Sequence, residues 1–178
     1  YIDLERSFEK PRVSLFGVDL DKLLLIEEAA SAEQAMDIVI DLCRARVIDL
    51  IVIDSVQAMT PRDAIYKHKT DTRKSMEDES TALLARKLST FLSGCSLDVY
   101  QAKCTVLLIG QARTTGIGSF ITKLDLSGGH ALRHYALQRL QMRTGQGADA
   151  PSVKEEVDGE LKDVKIGFDC VITLEKNK

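Results

Sequence analysis

Apolar and polar positions along the chain alternate between two periods, and the switch points mark its elements. Residues 1–5, YIDLE, alternate apolar and polar and predict a short strand. LDKLLLI at 20–26 leads into a second short strand. The clearest helix is predicted over 31–46, SAEQAMDIVIDLCRAR. Ser31 is a natural N-cap with Gln34 three residues on, a capping-box pattern. Met36, Val39, Ile40 and Cys43 then form an apolar stripe at helical spacing. DLIVID at 49–54 is a continuous apolar run ending in an acid, the pattern of a parallel strand buried on both faces. The polar stretch at 61–80 opens with Pro61, has a basic half and an acidic half, and reads as a loop. A helix is predicted over 81–94, with Leu84, Lys87, Leu88 and Phe91 along one side, and a buried strand over 103–110.

The segment 112–127 follows with little periodicity, far longer than connections in compact domains usually are. A helix at 128–137 and a strand at 138–144 come next. The polar, Gly-rich segment 145–163 predicts a hairpin with a mobile tip, and VKIGFDCVITLEK closes the chain with strands. Strands alternating with helices predict an α/β fold: a mostly parallel central sheet flanked by helices, with antiparallel strands toward the C-terminal end.

Composition narrows this further. A chain of 178 residues can bury a sizeable single core. Hydrophobic residues make up 44% and aromatics 5%, with no Trp, which fits an aliphatic α/β core. The net charge of -3 excludes a global basic field, so contact with nucleic acid must come from local patches. Cys43, Cys95, Cys104 and Cys170 lie far apart without a CxxC pair, so reduced thiols are expected rather than a zinc site or a disulfide framework. No apolar run approaches the length of a membrane span and no signal peptide is visible, so a cytoplasmic protein with no membrane partner is expected.

Three polar residues end predicted buried strands. Asp54, followed by Ser55, closes LIVID. An acid at that place in a nucleotide-hydrolysing sheet holds Mg²⁺ through water, because ligands bind at the carboxyl ends of parallel strands. The same acid could simply cap a turn. Glu5 ends the first strand, where a carboxylate could orient or deprotonate water, or be an ordinary surface residue. Gln111 ends LLIG, where an amide could sense a γ-phosphate or serve only as a polar strand end. Together the three would converge on one sheet edge. The phosphate-binding loop GxxxxGK[ST] is absent from the chain, which has no Gly-Lys dipeptide. Either ATP is not bound, or that loop lies before Tyr1. Because the chain starts at Tyr1 and stops at Lys178 beside predicted strands, a fragment of a longer protein is expected.

The segments YIDLE, LIVIDSVQAMTP, LLIGQAR, SGGHALRHYALQRLQMR and EKNK resemble the RecA family of ATP-dependent strand-exchange recombinases, over nearly the whole chain. The Gly-Gly-x-Ala-Leu-basic-x-Tyr-Ala pattern after a long loop is the most specific of these. The resemblance implies that 1–178 is a single, incomplete RecA-like ATPase core domain, lacking the phosphate-binding loop and the C-terminal region. It implies ATP and Mg²⁺ as cofactors, single-stranded DNA and homologous duplex DNA as partners, and self-association into a helical filament for homologous pairing in DNA repair. By the same resemblance Glu5 is the glutamate that activates water, Asp54 the Walker B aspartate with Ser55 after it, and Gln111 the amide that couples γ-phosphate to DNA. Residues 61–82 and 112–127 would be the two DNA-binding loops. Lys176 and Lys178 would reach across the filament interface to a neighbour's ATP.

Single strands are bound by cations that track the backbone and by stacking or wedging side chains. Lys67, Lys69, Arg73, Lys74, Arg113 and Lys123 supply cations, Phe120 an apolar wedge, and Gly116, Gly118, Gly128 and Gly129 close backbone approach. The first loop looks longer than is usual in the family, 145–163 looks expanded, His134 replaces a usual Phe, and Arg6 to Arg12 follow the family poorly. These departures favour a phage or distant recombinase. The rival readings are a non-catalytic DNA-binding or filament-modulating paralogue, and a helicase motor of the same fold.

Overall fold

A computed structural model of the protein describes residues 1–66, 83–115, 123–126, 130–145, 151–157 and 160–178. They fall into two compact units, Tyr1–Tyr135 and Ala136–Lys178.

The first unit is built on a three-stranded parallel sheet of β1 (Ile2–Asp3), β2 (Leu50–Asp54) and β3 (Thr105–Leu108), in that order. Ile2 pairs with Ile53, Asp3 with Asp54, and Leu50 to Ile53 with Thr105 to Leu108. The register brings the carboxyl ends of all three strands to one edge. Ile51 and Ile53 are buried on one face of β2, whereas on the other Leu50 is half exposed and Val52 and Asp54 are half-buried, so only one face is fully buried where the unbroken apolar run predicts both. In place of a second strand at 20–26 there is a 3₁₀ turn, Leu20–Lys22, and a single parallel bridge from Ile26 to Ile2.

Helix α1 (Lys10–Leu15) follows β1, and helix α2 (Ala32–Ala45) packs on the sheet. Ser31 Oγ accepts from Gln34 N at 3.3 Å, and Gln34 Oε1 accepts from Ala30 N at 2.8 Å. The first bond satisfies an amide that a helix start leaves without an internal partner, and the second ties the residue before the N-cap to the first turn. Ala32, Ala35, Met36, Val39 and Cys43 are its buried stripe. A short helix, α3 (Arg62–Ile65), lies inside the stretch that patterning reads as loop, with Pro61 at its N-cap. Helix α4 (Leu83–Ala102) runs eight residues past the predicted stop at Gly94. Leu88, Phe91 and Cys95 are buried and Val99 and Ala102 pack on the same core, so the apolar stripe carries the helix through the glycine.

After β3 the chain forms an antiparallel ribbon of β4 (Ala112–Thr115) and β5 (Lys123–Leu126), pairing the two ends of the segment that shows no periodicity. Helix α5 (His130–Tyr135) closes the unit and ends two residues before the predicted 137, while 128 and 129 lie outside the described residues. The second unit holds two antiparallel pairs. Strand β6 (Gln138–Thr144) pairs with β9 (Cys170–Asn177), and β7 (Ser152–Val157) with β8 (Glu160–Lys165) as the predicted hairpin. A parallel sheet flanked by helices, followed by antiparallel strands, is the α/β class that the patterning predicts. All four cysteines are free thiols; Cys43, Cys95 and Cys104 are buried and Cys170 is exposed. Among the described residues no helix is long and apolar enough to cross a membrane.

Candidate functional site

The carboxyl edge of the parallel sheet gathers the polar strand ends. Leu4 N donates to Asp54 O at 2.7 Å, carrying the β1–β2 ladder one residue past β1. The chain then turns. Glu5 stands exposed, and Arg6 next to it has a φ of 57°, a left-handed conformation that a residue with a Cβ adopts only at a cost. Phe8 N donates to Asp3 Oδ2 at 2.8 Å and closes that turn, with the Phe8 ring 5.1 Å from the Tyr1 ring.

Two short hydrogen bonds link the strands at this edge. Ser55 Oγ donates to Glu5 Oε1, and Tyr1 Oη donates to Asp54 Oδ2. The Asp54–Ser55 peptide is cis. Burial first, and then the hydrogen bond and charge of Asp54 with the charges of Asp3 and Glu5, push the Tyr1 hydroxyl well above the usual phenol range. It therefore stays a donor to Asp54 at neutral pH.

Asp3 is fully buried, is paired with Asp54 across the ladder, and has one oxygen, Oδ1, with no hydrogen-bond partner. A buried carboxylate lacking a full set of partners is costly. Two neighbouring carboxylates at a sheet edge, one of them incompletely satisfied, fit the outer surroundings of a hydrated cation. Mg²⁺ is usually held by one or two carboxylates, several waters and substrate phosphates rather than by an all-protein cage. Among the described residues no group of three or more His, Cys, Asp or Glu side chains is arranged to hold a metal. Asp54 is half-buried beside Asp3 at this edge, with Ser55 buried next to it.

The third strand end joins the same edge. Ile109 N donates to Ile53 O at 3.0 Å and Val56 N to Ile109 O at 2.9 Å. Gln111 is exposed, and its carbonyl accepts from Gln57 Nε2 at 2.9 Å. The β4–β5 ribbon begins one residue later and carries Arg113 and Lys123, the latter paired in register with Thr115. Glu5, Asp54, Ser55 and Gln111 are thus brought together by the sheet. Tyr1, Asp3 and Gln57 join them unforeseen. Of these only Asp3, alternating with Glu5 in YIDLE, left a signal in the sequence.

The predicted DNA contacts Lys67, Lys69, Arg73 and Lys74 lie outside the described residues, as do Gly116, Gly118, Phe120, Gly128 and Gly129. Both flanks of 67–82 are described, and they are tied to the start of α2. Glu33 Oε2 accepts from Arg62 N at 2.8 Å, and Lys87 Nζ lies 3.1 Å from Glu33 and 3.6 Å from Asp63. Burial alone would raise the Glu33 carboxyl, but the Arg62 amide and the Lys87 ammonium outweigh it and hold the group below its ordinary value.

Lys176 and Lys178 belong to the second unit, at the end of β9. Lys178 N donates to Leu137 O at 3.1 Å, and Lys176 pairs in register with Arg139, which is ion-paired to Glu175. Loss of solvent, then the charges of Lys178 and Arg139, lower the Lys176 ammonium from its ordinary value.

Residues 1–171 match the family model described as the RecA N-terminal domain. The chain is 36% identical over 166 residues to Protein RecA of Thermotoga neapolitana, covering 93% of this chain and 44% of the relative. It is 34% identical over 166 residues to Protein RecA of Bacteroides thetaiotaomicron, covering 93% and 47%, and 35% identical over 144 residues to that of Sulfurimonas denitrificans, covering 80% and 39%. It therefore spans less than half the length of each of these relatives.

Proposed function

This chain belongs to the RecA family, and on that premise we propose that it carries the hydrolytic edge of an ATP-dependent recombinase that assembles on single-stranded DNA. Relatives named Protein RecA in several bacteria support recombination as the process. In this reading 1–178 is part of one ATPase core, working in the cytoplasm as a helical filament that pairs single-stranded DNA with a homologous duplex. ATP when bound supplies the phosphoanhydride to be cleaved, and Mg²⁺ the charge that offsets its phosphates.

The chain's own residues divide the remaining work. Glu5, held through Oε1 by the Ser55 hydroxyl, keeps Oε2 to take a proton from a water molecule. Asp54, held through Oδ2 by the Tyr1 hydroxyl, orients the hydration shell of the cation, with Ser55 beside it. Gln111 stands where an exposed amide can report the occupant of the edge to the ribbon that starts at Ala112. Arg113, Lys123 and the basic residues of 67–74 offer phosphate contacts to the strand. Lys176 and Lys178 act on the nucleotide of a neighbouring protomer.

The observation that carries this reading is the link between Glu5, Ser55 and Asp54 at the carboxyl end of two adjacent parallel strands. Its test is ATP hydrolysis by the full-length protein with and without single-stranded DNA, alongside strand exchange with a homologous duplex. DNA-stimulated hydrolysis with exchange is expected. DNA binding without hydrolysis or exchange would assign the chain to a non-catalytic paralogue.

A further inference from the structure

We infer that Gln57 is a positioning residue for Gln111, clamping the peptide that leads from the nucleotide edge into the β4–β5 ribbon. The inference rests on the reading of Gln111 given above and extends it to a residue in direct contact with that peptide.

The β2–β3 connection continues for one further exchange beyond the strands, Ile109 N to Ile53 O and Val56 N to Ile109 O. Gln111 lies two residues beyond that exchange. There its carbonyl is taken up by the Gln57 side chain, Nε2 to O at 2.9 Å. The carbonyl belongs to the peptide joining Gln111 to Ala112, the first residue of β4. Holding that carbonyl fixes the plane of the peptide, and with it both the base of the Gln111 side chain and the direction in which the ribbon leaves the sheet.

Gln57 is itself fixed. It sits in the 3₁₀ turn Val56–Ala58, directly after Asp54 and Ser55, and Val56 before it is fully buried. Its Oε1 is buried with no hydrogen-bond partner. An amide whose oxygen is buried without a partner is unfavourable in a purely structural role, where an apolar side chain of similar length would do. Its retained feature is the donor aimed at Gln111. The turn that directly follows Asp54 and Ser55 and the start of the ribbon are thereby joined through one amide, so a shift at either is transmitted to the other.

The test compares full-length wild type, Gln111→Ala, Gln57→Met and Gln57→Glu. Met keeps the length without the donor, and Glu keeps the shape with acceptors only. Single-strand affinity is measured by fluorescence anisotropy with a non-hydrolysable ATP analogue and with ADP, and thermal unfolding is followed in parallel. The expected result is that Gln57→Met lowers the ratio of ATP-state to ADP-state affinity by roughly three- to tenfold, the range for removal of one hydrogen bond. Its ADP-state affinity and unfolding midpoint should stay close to wild type. If Gln57→Met fails to fold, Gln57→Glu decides by the same ratio. The inference is overturned if both Gln57 variants keep the wild-type ratio while Gln111→Ala loses it, or if they weaken both states equally. If Gln111→Ala itself keeps the ratio, the reading of Gln111 falls and the inference falls with it.

Discussion

Glu5 stands out among single residues because its two carboxylate oxygens have different surroundings. One accepts from Ser55 and the side chain as a whole is exposed, a division that suits a base fixed in place yet open to water. Glu5→Gln in the full-length protein removes the base and keeps the shape. Nucleotide binding should persist while turnover falls roughly 10²–10⁴-fold, the usual worth of a general base. Retained turnover would move the base elsewhere. The thiols give a second check. Burial, followed by the neighbouring Cys104 thiol, pushes Cys43 up to about 11 from an ordinary 9.0, and Cys95 and Cys104 are raised as well, chiefly by burial. Disulfide-exchange reagents at pH 8 should find Cys170 quickly and the other three slowly, until denaturant is added. Because the folded Cys43 thiol keeps its proton to a higher pH than the unfolded one, its contribution to stability is intact below about pH 9 and is lost as pH rises toward about 11. A urea midpoint that does not fall over that interval would contradict the burial of this thiol. Glu5, Asp54 and Gln111 could be found in the sequence because each is a polar residue at the end of a predicted strand, a local signal. The contacts of Tyr1 with Asp54 and of Gln57 with Gln111 could not, because they join residues more than fifty positions apart and depend on strand order.

At the level of elements, legibility followed the strength of the local signal. Helix α2 could be read because its cap and its stripe agree, and Ser31→Ala should cost about 1 kcal/mol of stability by removing the cap. Helix α4 was readable only to Gly94, since a glycine is a common stop. The structure continues because the core takes Cys95 on the same stripe as Leu88 and Phe91. Gly94 has nothing within 4 Å of where a Cβ would stand and lies inside the helix, so Gly94→Ala should stabilise by about 0.5–1 kcal/mol. A lower unfolding midpoint would mean that the helix ends there after all. The β4–β5 ribbon escaped the patterning because its arms, ARTT and KLDL, are four residues each and do not share one clean alternation. The basic run Lys67, Lys69, Arg73 and Lys74 is tested by salt. Replacing all four with Ala should reduce the log–log salt slope of single-strand binding by roughly 0.7 for every DNA phosphate that is no longer neutralised. An unchanged slope would make the run a solvated face.

At the scale of the whole molecule, the function proposed above requires an ATP-operated filament in which the sheet edge of one protomer works with a neighbour's lysines. Patterning alone could give the α/β class, because strand and helix periods alternate clearly. It could not give assembly, which depends on surfaces meeting between copies. Lys176 and Lys178 lie at the end of β9, with Lys176 in register with Arg139, which Glu175 neutralises. Acting in trans, they would make the nucleotide part of the interface and assembly dependent on it, as an arginine finger supplied by a partner does for hydrolysis. The most direct measurement mixes full-length Lys176→Ala/Lys178→Ala protein with full-length Glu5→Gln protein on single-stranded DNA. Each alone should be inactive. At equal mixing the filament should recover up to about a quarter of the wild-type ATPase rate, because head-to-tail interfaces then sometimes pair an intact Glu5 with intact lysines. Co-assembly on DNA with no recovered hydrolysis would contradict the account.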